Sequence, residues 1–291
     1  MKKYFYYLLG SVMVIIGAAV GFRVASRLGG VPSKLTIIHV NDTHSHLEPE
    51  RVGEFVGQGG VLERAAYIDS VRTADGFDNV LMLHAGDFCQ GTAYFNEFGG
   101  AVEVQLLNAM KYDAVTLGNH EFDNGIEALG EVLSKLEVPV VVCNYDFSPF
   151  EAGKYIKPYV IVEKAGMRIG IIGVLCNIKD MVAGDIANRI PEFEMIPTVQ
   201  KYADEIRPQC DLVIALTHIG YEEHNPGDIT DPILAAATSG IDIVIGGHSH
   251  TFLEEPDMVK NLDGKPVPVV QTGWMGVQMG EFHVSGHQSV F

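Results

Sequence analysis

Five short stretches of this 291-residue chain concentrate side chains able to hold a metal ion or move a proton. They are Asn41-Asp42-Thr43-His44, Gly86-Asp87, Gly118-Asn119-His120-Glu121-Phe122-Asp123, Thr217-His218 and Gly246-Gly247-His248-Ser249-His250. Carboxylate, imidazole and amide oxygen suit zinc, manganese or ferrous iron, and no thiolate is placed among them as a soft ligand. Asp42 and His44 are two residues apart, and so are His248 and His250. If the chain stays extended, that spacing puts each pair on one face, where it shares a site or brackets two adjacent ions. The glycines beside Asp87, Asn119 and His248 allow a sharp turn and close approach of the backbone. Taken singly, each stretch also reads as a polar turn, an Asx-turn or a helix cap. Five such choices at the ends of five apolar runs do not read that way as a set.

The apolar runs are the elements that must position these groups. Short β-rich runs are expected at 35–40, 80–84, 114–117, 138–143, 212–217 and 241–245, with a hairpin over 159–163 and 168–174. Helical spacing covers 54–72, 101–110, 125–136, 198–207 and 232–237, and two closing strands are expected at 267–271 and 276–284. Alternating helices and strands predict an α/β layered architecture, partly mixed because of the hairpin. In such sheets ligands bind outside the carboxyl ends of the strands, which is where the five polar stretches fall.

Apolar residues make up 47% of the chain and charged residues 20%, so a globular chain is expected rather than a disordered one. The formal net charge is −17, which excludes a broad basic face and with it a nucleic acid polymer as partner. An anionic substrate would need a local source of positive charge, and a metal would supply it. Lys2 and Lys3 precede a largely apolar run at 4–22, and Arg23 and Arg27 follow it. Residues 1–30 therefore read as a signal peptide or an N-terminal membrane anchor, long enough to span a bilayer. The expected location is outside the cytoplasm, either periplasmic or membrane-anchored. Cys89, Cys143, Cys176 and Cys210 form no C-x-x-C pair and read as small buried thiols, although four cysteines would allow three pairings.

The segments 37–49, 85–92, 118–123, 217–222 and 246–251, in this order and spacing, resemble the metallophosphoesterase domain of the 5′-nucleotidase family, within the calcineurin-like phosphoesterases. The resemblance runs from about residue 34 to about residue 284. It implies a four-layer α/β/β/α sandwich with two divalent ions at the sheet edge, zinc, manganese or iron. Carried over residue by residue, Asp42, His44 and His250 would bind one ion and Asn119, His218 and His248 the other, with Asp87 bridging. His120 matches the family's catalytic histidine, and Asp123 would orient it. Two ions about 3.5–4 Å apart activate a water and clamp the phosphoryl oxygens. With two carboxylates they leave a charge of about +2. The implied activity is hydrolysis of phosphate esters, nucleoside 5′-monophosphates first. Phosphodiester or 2′,3′-cyclic-nucleotide hydrolysis on the same site, and a non-catalytic membrane-tethered metal-binding module, are the alternatives.

Family enzymes continue into a second domain that binds the phosphate and stacks on the base. Here one metallophosphoesterase domain is expected over 31–291, with that substrate half absent. Either a separately encoded chain of the C-terminal type completes the site, or the domain works alone with a more open one. His46 and His84 are expected beside the site or on the surface, and His39, His224, His283 and His287 are given no role. Trp274 is expected to pack the final turn. Glu121 and Phe122 have no assigned task.

Overall fold

The computed structural model describes residues 34–285, so the expected signal or anchor at 1–30 lies outside the described residues. Strands β1 (Lys34–Val40), β2 (Val80–Ala85), β3 (Ala114–Thr116), β4 (Val140–Val141) and β5 (Ile156–Lys157) run parallel. With the antiparallel β12 (Gly280–Ser285) they form a sheet of order β12-β1-β2-β3-β4-β5. A second sheet has the order β10-β11-β9-β8-β7-β6. Its strands are β6 (Tyr159–Lys164), β7 (Met167–Leu175), β8 (Leu212–His218), β9 (Ile243–Ile245), β10 (Asp257–Lys260) and β11 (Pro266–Val270). There β7, β8, β9 and β11 are parallel, while β6 and β10 close the edges antiparallel.

Period-two alternation explains why these strands read as continuous apolar runs. Leu35 and Ile37, Leu81 and Leu83, and Leu212, Ile214 and Leu216 fill the space between the two sheets. Their neighbours Ile38, Val40, Val80, Met82, Val213 and Ala215 face outward into a second core shared with helices. Helix α1 (Val61–Asp75) packs on β1 and β2. Two further helices cover the other sheet, one (Met195–Ile206) against β7 and one (Asp231–Ala236) against β10 and β11. The result is the expected α/β/β/α sandwich. At one place the sheets come close enough for main-chain bonding, Cys143 N–H to Gly173 O at 2.9 Å. A Cβ on Gly173 would lie 1.9 Å from Val141 O, so only glycine fits there.

The boundaries differ from the sequence reading where glycine and short length intervene. The helix expected from residue 54 starts at Val61, because Gly57, Gly59 and Gly60 all take positive φ just before it. The strand expected over 138–143 pairs only at Val140–Val141. The last strand starts at Gly280 rather than 276, after Met275 and Gly276 turn with positive φ. Helices Ala93–Phe98 and Gly184–Ala187 and strands β5 and β10 are too short to carry a readable period. Among the described residues no helix is long and apolar enough to cross a membrane. Cys89, Cys143 and Cys176 are buried, Cys210 is half-buried, and all four are free thiols.

Candidate metal centre and active site

The carboxyl ends of β1, β2 and β3 from one sheet and β8 and β9 from the other converge on one edge of the sandwich. There the donor atoms of Asp42, His44 and His250 lie within 4.8 Å of one another, and so do those of Asp87, His218 and His248. A third cluster, His44, Asp87 and His120, overlaps the first two and ties them into one site. Asn119 is buried on the turn after β3, with its Oδ1 3.9 Å from the Cys176 thiol. The structure thus brings together Asp42, His44, Asp87, His120, His218, His248 and His250, with Asn119 next to His120 on the turn after β3.

The way it does so corrects one expectation. Asp42, His44, Asp87, His248 and His250 all have positive φ, between 45° and 83°. β1 ends at Val40 and β9 at Ile245, so the pleat stops before the ligands begin and left-handed turns aim them instead. Each such non-glycine residue costs on the order of 1–3 kcal/mol, and the surroundings must hold it there. Main-chain bonds do this: Asp42 N–H donates to Gly86 O and His44 N–H to Asp87 O, both at 3.0 Å. Glycine fits where the ligands press on the backbone. A Cβ on Gly118 would lie 2.1 Å from Asp87 Oδ1, and one on Gly247 2.9 Å from Asp42 Oδ2. As a consequence of the turns, His248 and His250 serve different triads.

The donor atoms face one another but satisfy one another only in part. Asp42 Oδ2 accepts from Asn41 Nδ2 and from His248 N–H, but its buried Oδ1 has no hydrogen-bond partner. His250 Nε2 lies 3.3 Å from that oxygen and 3.0 Å from His44 Nε2, so two ring nitrogens point at one spot. His218 Nδ1 bonds Ala85 O at 2.7 Å, which fixes the ring and turns Nε2 into the site, 3.1 Å from Asp87 Oδ2 but unaligned for a bond. Orphaned buried donors and acceptors converging in this way fit a divalent cation.

The charges fit it as well. Burial disfavours ionising Asp42, yet His218 and His250 outweigh it and hold the carboxyl below the usual range. Burial likewise opposes ionisation of Asp87, but the charge of His218 close by, with His44 and His120, holds its carboxyl well below the usual range. Burial alone would keep His218 neutral, but Asp87 and Asp42 push it up to about 10. Burial pushes His248 down to about 4 and also lowers His44, which keeps both imidazoles available as neutral ligands.

His120 stands at the rim with its side chain about one-third exposed. Its Nδ1 is 2.9 Å from Asp123 Oδ2, and its N–H donates to Asp87 Oδ1 at 3.0 Å. Burial lowers its proton affinity, but Asp123 and Asp87 together raise it above the ordinary histidine value.

Residues to which the sequence reading gave another task or none complete the support. Glu121 is buried and accepts three main-chain N–H bonds, from Asp87, Cys89 and Gly118, so it clamps the turns after β2 and β3 together. Burial and the Asp87 charge push its carboxyl up to about 7. Phe122, on the same turn, stacks on Phe147 in the outer core. Gln271 pins the His248 turn, donating to Gly247 O and accepting from Thr251 N–H. Trp274 does more than pack the final turn: it lies flat on His250, with ring centroids 5.1 Å apart and 9° between planes. The turn after β11 carries it there, since Asn41 bonds both Gly273 and Thr272. Only the Gln-Thr-Gly-Trp cluster just after a strand end hinted at this. His84 is buried against Thr43, and His46 pairs with Glu50 beside Trp274.

Residues 35–252 match the family model for the calcineurin-like phosphoesterase. A probable 5′-nucleotidase of Treponema pallidum (strain Nichols) is 36% identical over 93% of this chain and 48% of its own length. A snake venom 5′-nucleotidase of Crotalus adamanteus is 33% identical over 94% of this chain and 48% of its own length. The chain therefore spans about half the length of the curated relatives it matches. Among solved structures, the 5′-nucleotidase precursor from Thermus thermophilus superposes with a TM-score of 0.75 at 31% identity, over 87% of this chain and 54% of that one. Given this match and the convergent donor site, the chain belongs to the calcineurin-like phosphoesterase family of metal-dependent phosphoric ester hydrolases.

Proposed function

We propose that this chain is a two-metal phosphomonoesterase that acts outside the cytoplasm, with nucleoside 5′-monophosphates as its first substrates. The observation that carries the reading is the meeting of two donor triads, one carboxylate in each, with the His120–Asp123 pair at their rim. Asp42, His44 and His250 would hold one ion and Asn119, His218 and His248 the other, with Asp87 shared between them. Divalent ions bound there supply an activated water and neutralise charge on the phosphoryl oxygens.

The chain's own residues handle the proton. Asp123 accepts from His120 Nδ1, which fixes the tautomer and leaves Nε2 for the ester. Asp123 and Asp87 raise the proton affinity of His120, which favours a proton on Nε2 for the leaving oxygen as its bond to phosphorus breaks. The hydrogen bond from His120 N–H to Asp87 holds this proton source at a fixed place against the site. Export is supported by the charged and apolar pattern of residues 1–30, and the 5′-nucleotidase relatives support the substrate class.

The test is phosphate release from AMP, p-nitrophenyl phosphate and bis-p-nitrophenyl phosphate with added manganese or zinc. Release from the two monoesters, with little from the diester, is expected. Turnover of the diester alone would replace the monoesterase reading with the phosphodiesterase one. Absence of both bound metal and turnover would leave the non-catalytic module.

A further inference from the structure

The metal centre occupies the carboxyl ends of the strands, so the turns that lead into the parallel strands form the opposite end of the sandwich. β1 begins there at Lys34, which pairs with Ser285 at the end of β12, so both ends of the described chain lie on that face. Residues 23–33 separate the apolar run at 4–22 from Lys34. β1 rises about 3.3 Å per residue, which sets the ligands that follow Val40 roughly 20 Å from this face.

The two ends differ in charge. All 37 Asp and Glu lie within 34–285, while Lys2, Lys3, Arg23 and Arg27 of the 20 cationic residues lie before it. At the metal end Glu54, Glu97, Glu222, Glu223, Glu254 and Glu255 are exposed on the segments that follow β1, β2, β8 and β9. At the opposite end the acids are matched. Lys34 pairs with Asp75 at 2.8 Å, Lys164 with Asp113 at 3.0 Å, and Arg207 with Asp242. Asp78, Glu163 and Asp211 on the same end are balanced in number by Arg72, Lys111 and Arg168.

This near-neutral end also exposes apolar side chains. Phe77, on the turn from α1 into β2, is 44% exposed, and Leu262, on the turn into β11, is 67% exposed. The Phe77 ring has Lys164 Nζ 4.5 Å, Arg72 Cζ 4.8 Å and Lys111 Nζ 5.5 Å from its centroid. An aromatic ring ringed by cations suits a lipid interface, where the ring meets the acyl boundary and the cations meet headgroup phosphate.

An anionic bilayer repels the acidic end and admits the neutral one. At physiological salt that repulsion acts within about 8 Å. With the neutral end down, the acidic loops stand roughly 20 Å off, beyond its range. A tether of residues 23–33 reaches at most about 40 Å, enough for the domain to turn over. Charge and Phe77, not tether length, therefore choose the face.

We infer that this end of the sandwich rests on an anionic phospholipid bilayer, with Phe77 at the headgroup level, Arg72 and Lys111 toward lipid phosphate, and the metal centre turned away. The inference rests on the anchor reading of residues 1–30 and deepens the location proposed above. The site then takes esters from the aqueous phase and does not reach the phosphate of lipids in its own bilayer.

The test uses the full chain in vesicles of phosphatidylglycerol and phosphatidylcholine, the latter brominated along its acyl chains to quench tryptophan within the bilayer. The chain should float with the vesicles, and emission of its one tryptophan, Trp274 at the metal end, should stay unquenched. In Phe77→Trp the added emission should be quenched about two-fold, as for a ring at the headgroup–acyl boundary. Adding Lys111→Glu should reduce that quenching with phosphatidylglycerol present and not in pure phosphatidylcholine. Phosphate should be released from AMP in solution and not from phosphatidic acid placed in the same vesicles. Unquenched Phe77→Trp, quenched Trp274, or release from phosphatidic acid at a rate comparable to AMP overturns the orientation. A chain that does not float overturns the anchor reading and the inference with it. Failure on every ester overturns the phosphomonoesterase reading alone, and the quenching still decides the face.

Discussion

At the scale of single residues, holding metal and moving a proton are assigned to neighbours in sequence. In the proposed division Asn119 would serve as a metal donor, while His120, with its Nδ1 on Asp123, would leave Nε2 for chemistry. His120→Ala should keep its metal content in elemental analysis and lose turnover by a factor on the order of 10²–10⁴. Asp123→Asn should also keep metal and lose about 10–100-fold, because the ring loses its orienting acceptor. Asp87→Ala should lose the metal itself, since Asp87 contributes to both overlapping clusters around the second triad. Trp274 is the only tryptophan of the chain and lies on His250, so its emission should change on titration with manganese or zinc. Trp274→Phe should weaken that metal affinity only slightly, and Trp274→Ala by about ten-fold, as expected for loss of support behind a ligand. Equal affinity in all three would remove Trp274 from the site.

At the scale of elements, the strand ends were legible because each apolar run stops abruptly at Asp, Asn or His. The backbone conformation that follows was not. Left-handed turns at Asp42, His44, Asp87, His248 and His250 leave no mark in residue type, since glycine is absent from those positions. Glu121, Gln271 and Trp274 were missed for a related reason: their partners are remote in sequence, and nothing local announces a carboxylate that accepts three main-chain N–H bonds. Glu121→Ala would leave those three buried N–H groups without an acceptor, at about 1–3 kcal/mol each before relaxation. It should lower the urea midpoint and the metal content together. Gly173 is another element-scale constraint that the sequence does not flag, where the two sheets nearly touch. Gly173→Ala places a methyl against Val141 O and should cost more than about 3 kcal/mol, read as loss of soluble protein or a lowered Tm. An unchanged Tm would mean that the sheets part there more easily than the packing suggests.

At the scale of the whole molecule, the alternation of strands and helices was enough to expect a layered, partly mixed α/β sheet, while the four-layer sandwich was implied by the family resemblance. Short pieces such as β5 and β10 were hidden because two or four residues show no period. Burial of histidine has a global consequence. His39 is fully buried and burial pushes it down to about 4, while burial and Arg64 push His84 down to about 3. Both are depressed below the unfolded value of about 6.5, so their neutral forms belong to the fold. Stability is complete above that value and falls as pH drops toward 4, since the unfolded chain then binds more protons. His39 alone should remove about 2–3 kcal/mol between pH 7 and 4.5, and His39→Leu should flatten the pH dependence of the urea midpoint by that amount. The strong net charge of −17 sets a second whole-molecule condition, because an anionic ester approaches against it unless the site is loaded with cations. The measurement that tests this account most directly is phosphate release from AMP by chelator-treated protein, before and after manganese or zinc is restored. The account predicts no release without metal and recovery in step with metal uptake. Equal release with and without metal, with none taken up, would contradict it.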